Sequence, residues 1–506
     1  MLALCMEKIA LFEIGTTHVR VTLCKKVQDQ HFHIYKTFSE NIHINEHIEN
    51  DGMIKSAKVH ECTTILKMYK KICDAEGVRE YMAIAAESLT NAKNYKSFID
   101  ELGSCIGQEF KIMTAEMETN AIYTAIVNTL DVSRGVIVNI SSFNTRIIHY
   151  NRRMILDSVI IPYGSVSLFE KSENMPLIAT DIFKKELETN APFLKNLDPE
   201  TQIVGVSDVF SSFGKIARKM DKSPIDIEHN YITDDEMFYK VFDFVKGLDM
   251  EKKQKLKGIS SHSAKTIVCG MCIIDAVLKV SGLKSMVNAS AFRNVGLLYN
   301  AVIPSTVEKP ISDLLNYSLN CVVDVAGLDK ESARRHYDLA IMLFKQIRVL
   351  HKLPRTYAKP LHIASYLYEL GTFGGNYNAI LSAPILGASH KDIVLAAFAA
   401  SFKKWEDFQL SEWIKYKDLL TDEDLDAVRK LSMILAMAQS LDIRGSEIIK
   451  DISCDLLGDS VIIKLIAATD VKASKIDVSA TDVEIFHARK YSKEFMKTFK
   501  RSLELL

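Results

Sequence analysis

The 506 residues of this chain exceed what a single hydrophobic core usually supports, so roughly three or four domains are expected. Hydrophobic residues make up 48% of the chain and charged residues 25%, a composition that excludes the disordered and fibrous classes. The formal net charge of −1 gives no overall attraction for nucleic acid or an anionic membrane, so neither is predicted as a partner.

The nine cysteines form no spaced framework, which predicts reduced thiols and a cytoplasmic location. The start of the chain, MLALCMEK, lacks the long apolar stretch of a signal peptide, which also favours the cytoplasm. One CxxC pair, Cys269 and Cys272, falls in the apolar run Thr266–Val280, which predicts a buried helix. That run is too short for a membrane helix and no second ligand pair accompanies it. Both cysteines are therefore predicted to be core residues rather than zinc ligands.

The beginning of the chain alternates between strand and helix patterns. Lys8–Cys24 consists of two apolar, β-branched runs around a Gly-Thr-Thr turn, which predicts a hairpin. A helix is predicted over His60–Glu76, a strand over Tyr81–Ala86 and another helix over Asn94–Leu102. This alternation favours the α/β class.

The opening pattern recurs in the middle of the chain. Gly135–Tyr150 is again strand, small-residue turn and strand, and Met154–Ile161 follows as a third strand. Two such hairpin-led units indicate an internally duplicated core. A long buried helix is then predicted over Ser263–Val280, and a strand, loop and helix over Ser285–Val302.

The pattern changes to successive amphipathic helices after Pro310. Apolar residues recur at helical spacing, as at Ala340, Leu343 and Ile347, which predicts a separate all-helical domain. After Leu441, two alternating runs flank a Gly-Asp turn and a lysine-rich helix follows. A small α/β domain is therefore predicted to end the chain.

Six short motifs occur in an order and spacing that resemble the Ppx/GppA family of exopolyphosphatases and guanosine pentaphosphate phosphohydrolases. They are the hairpin Glu13–Arg20, AAESLTNAKN at Ala85–Asn94, MTAEMETNAIY at Met113–Tyr123, NISSFNT at Asn139–Thr145, a predicted strand IPYGSVSLFE at Ile161–Glu170, and YLYELG at Tyr366–Gly371. The resemblance implies an α/β fold with a duplicated actin-like (ribonuclease H-like) ATPase core of two lobes. An HD-like all-helical domain and a small C-terminal α/β domain would follow this core.

The resemblance and the change of pattern together predict four domains. These are residues 1–124 for actin-like lobe I, 125–305 for actin-like lobe II, 306–440 for the HD-like helical domain and 441–506 for the C-terminal α/β domain. In the family the helical and C-terminal domains commonly make members dimeric, so the resemblance also implies a homodimer.

Two motifs keep residues to which the family assigns chemistry. In the family the opening turn holds phosphate through backbone amides and hydroxyls, while its acid helps to organise a divalent cation. The resemblance therefore implies that Gly15, Thr16 and Thr17 bind phosphate, and that Glu13 contributes to a Mg²⁺ site if the protein is active. Glu118 matches the family's general base, which activates the attacking water. Considered alone, Glu13 also fits an ordinary hairpin with a surface acid, and Glu118 fits an acid that favours the start of a helix.

The other motifs of the core depart from the family's pattern. Thr90 stands where the family has an Arg that grips phosphate with two hydrogen bonds. The family's Asp-Ile-Gly-Gly-Gly-Ser-Thr-Glu run reads Asn139–Arg146 here, so three glycines and both acids are missing. Within this turn Thr145 and Arg146 are predicted to contact phosphate, whereas Phe143 would fill the phosphate space unless the turn is re-aimed.

The helical half has lost the metal pattern of longer family members. Their His-Asp pair reads Tyr368-Glu369 here, their preceding His reads Ser332, and their His-rich loop is shortened to residues 374–378. His336, His362 and His390 lack the required spacing, so no metal ligand set is predicted.

Two functions stay open. In the first, the chain is an exopolyphosphatase-like family protein with weak or lost hydrolysis, which needs no cofactor and binds polyphosphate, a guanosine penta- or tetraphosphate-like ligand or a partner protein. In the second, it is an active exopolyphosphatase or guanosine pentaphosphate phosphohydrolase, which cleaves terminal phosphoanhydride bonds with Mg²⁺ and Glu118 as general base. The Asn139–Arg146 turn separates the two. An inward Arg146 allows anion binding without a cation, whereas an inward Phe143 blocks the cleft.

Overall fold

The structure is a computed structural model that describes residues 7–27, 31–44, 52–152, 154–261, 263–304, 310–371, 375–445, 447–467 and 481–506. Contacts between residues divide the chain into two units. The first comprises Met1–Lys222 and Asp226–Ser312, and the second comprises Ser223–Ile225 and Asp313–Leu506. The predicted boundary between residues 305 and 306 lies outside the described residues, so the division into four domains stays a prediction.

A five-stranded sheet begins the first unit, in the order β3-β2-β1-β4-β5. Its first three strands are antiparallel and its last two run parallel to the central strand. The predicted opening hairpin is confirmed as the first two strands. The bounds are β1 (Glu7–Ile14), β2 (His18–Val27), β3 (His31–Asn41), β4 (Glu80–Ala86) and β5 (Lys111–Met113).

A six-stranded sheet repeats this arrangement, in the order β8-β7-β6-β9-β11-β10. Three antiparallel strands are again followed by two parallel ones, and one antiparallel edge strand is added. The two sheets thus share a topology, as expected for an internally duplicated core. The bounds are β6 (Arg134–Ile140), β7 (Thr145–Asn151), β8 (Met154–Ile161), β9 (Gln202–Val206), β10 (Tyr231–Asp234) and β11 (Ser285–Asn288).

Helices cover both sheets of the first unit, as the connections between parallel strands require. The bounds are α1 (Ser56–Glu76), α2 (Tyr95–Ile106), α3 (Ala115–Val127), α4 (Ser165–Ser172), α5 (Pro176–Asn190), α6 (Asp208–Met220), α7 (Asp235–Lys246), α8 (Met250–Lys255), α9 (Ile267–Ser281) and α10 (Arg293–Val302).

Helices α3 and α10 lie between the two sheets, and this position decides where the site forms. Ile122 and Ile126 of α3 pack with the six-stranded sheet, whereas Ala121 packs with β1 and α10. Gly296 of α10 contacts the backbone of α3 so closely that a Cβ atom would overlap the carbonyl oxygen of Ala121. The first turns of both helices are therefore fixed relative to the ends of the central strands.

The prediction of a strand over Ile161–Glu170 is wrong. Ser165–Ser172 forms helix α4, with Gly164 as its N-cap. The amides of Ser165, Val166 and Ser167 donate to the carbonyl oxygens of Ser141 and Ser142 at 2.9–3.2 Å. This contact with a distant turn satisfies the amides at the start of the helix, which the local apolar pattern does not reveal.

The second unit is largely helical, as predicted after Pro310. Its helices share one core with a three-stranded sheet in the order β12-β13-β14, whose last strand was not predicted. The bounds are α11 (Leu314–Ala326), α12 (Lys330–Gln346), α13 (Arg348–His351), α14 (Ala358–Tyr366), α15 (Asn376–Ser382), α16 (His390–Ser401), α17 (Leu410–Trp413), α18 (Asp422–Leu441), β12 (Ile449–Leu457), β13 (Ser460–Ala467), α19 (Asp482–Arg489), α20 (Ser492–Phe499) and β14 (Ser502–Leu505).

Helix α9 contains the CxxC pair, and both thiols are buried there. The Sγ atom of Cys272 lies 3.4 Å from the carbonyl oxygen of Pro176. Burial raises the pKa of Cys269, and it raises the pKa of Cys272 to about 12. Both cysteines are core residues, as predicted. In the described ranges no helix combines the length and the apolar character needed to cross a bilayer.

Candidate functional site

The candidate site forms where the carboxyl end of β1 meets the first turn of α10. Glu13 lies on β1 with only 1% of its surface exposed. Arg293, the first residue of α10, donates from Nε to Oε1 of Glu13 at 3.1 Å. A carboxylate at this depth is costly unless a cation or hydrogen bonds compensate it. Arg293 supplies that compensation, so Glu13 is not the exposed acid of an ordinary hairpin.

Glu118 is the second carboxylate of the site and lies in the first turn of α3. Thr114 caps this helix by accepting a hydrogen bond from the amide of Met117 at 3.2 Å. Oε1 of Glu118 accepts from Nη1 of Arg293 at 2.9 Å, and Oε2 accepts from Nη2 of Arg146 at 2.8 Å. Two guanidinium groups thus hold the two oxygens of the predicted general base.

Glu13, Arg293, Glu118 and Arg146 form one continuous chain of ion pairs, here called the four-charge network. It contains two acids and two bases, so its formal charges cancel. It also connects the five-stranded sheet, through Glu13 on β1, to the six-stranded sheet, through Arg146 on β7.

The arginines of the network differ in their electrostatic environment. Burial lowers the pKa of Arg146, and the carboxylate of Glu118 only partly opposes that effect. For Arg293 burial acts in the same direction, but Glu13 and Glu118 together outweigh it and raise the pKa. Arg293, which contacts both carboxylates, is therefore the more strongly held cation.

His18, at the start of β2, is a neutral neighbour of the network. Burial, together with the charges of Arg20 and Arg293, lowers the pKa of His18 to about 3. Its Nδ1 atom lies 3.2 Å from the hydroxyl of Thr17. In the described part of the chain, Nε2 of His18, Oε2 of Glu13 and Nε of Arg146 are buried and make no hydrogen bond. The site thus contains both donor and acceptor capacity that the protein itself leaves unused.

The opening turn uses its own polar groups to hold its shape. The amide of Gly15 donates to the carbonyl oxygen of His18 at 2.9 Å. The carbonyl oxygens of Thr16 and Thr17 accept from the amides of Ile44 and Ile42 at 2.6 and 3.0 Å. The structure therefore brings the predicted phosphate-binding residues next to Glu13, and the amide of Gly15 is already engaged within the turn.

The Ser141–Asn144 turn is held by hydrogen bonds with the start of helix α4. Its carbonyl oxygens accept hydrogen bonds from the first amides of α4. Phe143, at the tip of the turn, is 42% exposed. Phe143 therefore does not fill the cleft. Arg146 is instead the inward residue, with 4% exposure. Thr145 is fully buried, and its hydroxyl donates to the carbonyl oxygen of Tyr163 at 2.8 Å.

The Glu87–Asn91 turn places a carboxylate of the protein at the start of helix α3. Oε2 of Glu87 accepts a hydrogen bond from the amide of Ala115, the first residue of α3, at 2.9 Å. The hydroxyl of Thr90 donates to the carbonyl oxygen of Glu87 at 2.7 Å. An anion is favoured at a helix N-terminus, and here the protein provides its own carboxylate for that position.

The two-sheet topology and the position of the site can now be compared with known proteins. A sequence model of the Ppx/GppA phosphatase family matches residues 23–300, more than half of the 506-residue chain. The chain belongs to the Ppx/GppA phosphatase family. Crystal structures of family members agree with the fold, although their sequence identity to this chain is too low to transfer an activity.

Two solved structures illustrate this agreement. The Aquifex aeolicus Ppx/GppA family member has a TM-score of 0.52 and 21% identity, covering 59% of this chain and 98% of that one. An exopolyphosphatase from Cytophaga hutchinsonii also has a TM-score of 0.52, with 17% identity over 58% of this chain and 98% of that one. The Ppx/GppA core, with its two actin-like lobes, is thus the fold of the first unit.

Curated sequence relatives point to the same family. Guanosine-5'-triphosphate,3'-diphosphate pyrophosphatases of Aeromonas hydrophila and Aeromonas salmonicida are each 18% identical to this chain over 315 residues. The match spans 62% of this chain and 62% of the length of each relative.

The residues at this site of the Ppx/GppA protein do not form a set of oxygen ligands that fits Mg²⁺. Carboxylate oxygens are the ligands that Mg²⁺ prefers. Here Arg293 contacts both predicted acids, position 139 carries an amide, and position 146 carries a guanidinium. No group of three His, Cys, Asp or Glu side chains suited to a metal ion occurs within the described ranges.

Arg293 is the functional residue that sequence reasoning missed. It lies 280 residues from Glu13 and 175 residues from Glu118 along the chain, so no local motif connects them. One signal was present: an Arg at the first position of a helix opposes the helix dipole, which suggests a nearby carboxylate.

The helical unit of this Ppx/GppA protein brings together two of the positions expected to be altered. The hydroxyl of Ser332 donates to Oε1 of Glu369 at 2.8 Å. His336 lies close by, with Nε2 at 3.7 Å from Oδ2 of Asp442, and burial lowers its pKa. His362 instead stacks on Tyr337, with ring centroids 3.8 Å apart. Gly374 of the shortened loop lies outside the described residues.

Proposed function

We propose that this Ppx/GppA family protein has weak or no phosphoanhydride hydrolase activity and acts by binding a phosphate-rich ligand in the cleft. The four-charge network is the observation that carries the proposal. A general base must accept a proton from water, and both oxygens of Glu118 already accept hydrogen bonds from guanidinium groups.

Phosphoryl transfer relies mostly on positioning and on electrostatic stabilisation of the transferred group. Here Arg146 and Arg293 are the cations of the cleft, and each is bound to a carboxylate. A phosphate would have to compete with Glu118 for these guanidinium groups. Arginine binds phosphate well through paired hydrogen bonds, so this exchange supports binding without a divalent cation.

Retained activity is the second candidate, because Glu13 and Glu118 lie close enough to each other to contact the same guanidinium group, that of Arg293. In that case the protein would be an exopolyphosphatase or guanosine pentaphosphate phosphohydrolase in which Glu118 acts as the base and Arg146 contributes charge to the phosphate. Displacement of Arg293 from Glu118 would be the first requirement.

Several further expectations belong to the same proposal. The helical unit is proposed to be an HD-like domain without metal ligands, in line with the contact between Ser332 and Glu369. A cytoplasmic location and a homodimer, both expected from the sequence, complete the proposal.

Phosphate release from long-chain polyphosphate and from guanosine pentaphosphate, measured with Mg²⁺, separates the two candidates. Glu118→Gln serves as the matched control because it keeps the shape of the side chain. We expect release at, or only slightly above, that of the control. Rapid release that the control lacks would show that the protein is an active hydrolase and would overturn the proposal.

Binding is measured separately, by calorimetric titration of tripolyphosphate with EDTA present. We expect heat of binding in EDTA, and at least about tenfold weaker binding by Arg146→Gln, because a hydrogen bond to a charged group contributes about 1.5–3 kcal/mol. Binding that requires Mg²⁺, or that Arg146→Gln leaves unchanged, would contradict anion binding by the arginines.

A further inference from the structure

A cavity of about 620 Å³ lies among α5, α7, α8 and α9 of the first unit. None of its lining residues belongs to the four-charge network or to the three turns described above. Pockets of roughly 300–1,000 Å³ are the usual size for small-molecule sites. The cavity is therefore large enough for a ligand of its own, and the proposed function of the cleft does not account for it.

The floor of the cavity is formed by a buried carboxylate whose hydrogen bonds come from protein side chains. Asp275 of α9 is 3% exposed. It accepts hydrogen bonds from the hydroxyl of Thr180 at 3.0 Å, from the hydroxyl of Tyr239 at 3.3 Å and from Nζ of Lys279 at 2.8 Å. Burial and the charge of Asp275 raise the pKa of Tyr239 to about 12, so the phenol stays neutral. This arrangement fixes the floor as a rigid polar surface joining α5, α7 and α9.

The charged residues that line the cavity include one more lysine than aspartates. Lys279 is paired with Asp275, and Lys246 is paired with Asp243 at 2.7 Å. Lys253 of α8 also lines the cavity and is only partly exposed. Its charge acts on Asp249, the N-cap of the same helix, but the two side chains form no direct ion pair in the described residues. A partly buried lysine without a carboxylate partner is unfavourable unless another anion is available.

The neighbours of Lys253 make this feature specific. Lys252 pairs with Asp249 at 3.0 Å, and Lys255 pairs with Glu251 one turn earlier on the same helix. Both of these lysines are exposed. The lysine that faces the cavity is thus the one member of this trio without a direct ion pair in the described ranges, and it shares the charge of Asp249 with Lys252.

Part of the cavity wall is apolar. Pro176 and Leu177 of α5 lie on one side, and Phe242 of α7 and Val268 of α9 line it as well. Leu177 is 81% exposed, which is unusual for a leucine beside a cavity. A ligand with an apolar body would cover part of this surface.

We propose that this cavity binds a small organic anion that carries one negative charge and an apolar body. Lys253 contacts the anionic group, and the wall formed by Pro176, Leu177 and Phe242 packs against the body. Lys253 sets the charge of the ligand, because the two other lysines are paired with the aspartates of the lining, which leaves the lining one net positive charge. The site is separate from the cleft and does not depend on whether the cleft hydrolyses phosphate.

The test uses 8-anilinonaphthalene-1-sulfonate, an aromatic monoanion whose fluorescence rises when it is bound, with the full chain at neutral pH. We expect saturable binding of one probe per chain. Lys253→Gln is expected to weaken binding about tenfold, since a charge-assisted contact contributes roughly 1.5–3 kcal/mol. Leu177→Ser is expected to weaken binding about threefold or more through the lost apolar contact.

Lys255→Gln is the matched control, because Lys255 lies on the same helix, does not line the cavity and already has Glu251 as partner. Its affinity for the probe is expected to equal that of the wild type. N-phenyl-1-naphthylamine, the neutral counterpart of the probe, is expected to bind at least about tenfold more weakly than the sulfonate. Inorganic phosphate, which has no apolar body, is expected not to compete.

Four results would overturn the proposal. The first is equal affinity of the wild type and Lys253→Gln, and the second is equal binding of the neutral and anionic probes. The third is displacement of the probe by phosphate or tripolyphosphate, which would assign the binding to the cleft. Loss of the probe signal in Lys255→Gln as well would also contradict a specific role of Lys253.

Discussion

Replacing Arg293 with methionine removes the cation that joins Glu13 to Glu118 while keeping a long unbranched side chain. Removing one partner of a buried ion pair typically costs about 3–5 kcal/mol, because it leaves a buried charge without compensation. Glu13 is 1% exposed and loses its one ion-pair partner in the described residues. Glu118 is 28% exposed and keeps Arg146, so its contribution is smaller. We expect Arg293→Met to destabilise the first unit by about 3 kcal/mol, the lower end of this range.

The chain has two units, so a single melting temperature would not report on this unit alone. Hydrogen exchange of peptides from β1 and α3, measured as a function of urea, does report on it. The control is Arg134→Met, which breaks an ion pair between Arg134 and Asp198 whose side chains are 47% and 44% exposed. Exposed pairs of this kind contribute about 0–1 kcal/mol.

The double variant Glu13→Gln, Arg293→Met completes the test. Removing both charges leaves no buried carboxylate without a cation, so we expect the double variant to recover at least about 1 kcal/mol relative to Arg293→Met. Two results would contradict this reasoning: Arg293→Met loses no more stability than Arg134→Met, or the double variant is as unstable as the single one. In either case the network does not stabilise the buried charge of Glu13.

Three more predictions concern other parts of the first unit. The folded-state pKa of His18, about 3, lies below its ordinary value of 6.5, so the unfolded chain binds a proton that the folded chain excludes between these values. Stability is fully present above pH 6.5 and falls as the pH drops towards 3. Urea titrations should show His18→Gln losing about 2 kcal/mol less than the wild type between pH 7 and pH 5, and parallel pH curves would contradict this. Gly296→Ala should destabilise α3 and α10 by about 2 kcal/mol in the exchange assay, because its Cβ would overlap the backbone of Ala121. Gly247→Ala, which has more space for a Cβ, should change stability by less than about 0.5 kcal/mol. Iodoacetamide at pH 8 should alkylate Cys272 only after unfolding, since the thiol is buried with a pKa of about 12, and mass spectrometry of the native protein showing rapid labelling would refute its burial.

Much of the fold could be predicted because local patterns carry it. The opening hairpin, the three strands from Gly135 to Ile161 and the buried helix with the CxxC pair follow from periodicity and turn residues. Helix α4 could not be predicted in this way, because its first amides are satisfied by Ser141 and Ser142, which are distant in sequence. The last strand, Ser502–Leu505, was missed because only its parallel pairing with β13 makes it a strand.

The candidate site, like the fold, could be predicted from the sequence only in part. Motif order identified Glu13, Glu118 and Arg146, and the reversed charge at position 146 was visible in the sequence. That Arg146 binds Glu118 was not visible, because the two residues are brought together by packing of α3 on β7 rather than by a motif. Arg293 was missed for the same reason. The alternatives of an inward Phe143 and an inward Arg146 were resolved only by the side-chain positions.

The four-charge network also constrains how the sequence can change over time. Asn139 and Arg146 face each other across β6 and β7, at the positions where the family pattern has two acids. Returning a glutamate to position 146 alone would place a third carboxylate beside Glu118, with Arg293 as the remaining guanidinium of the network. Returning an aspartate to position 139 alone would leave Arg146 and Arg293 in place. Either single substitution therefore keeps at least one guanidinium group beside Glu13 and Glu118, and neither alone restores the pair of acids in the family pattern.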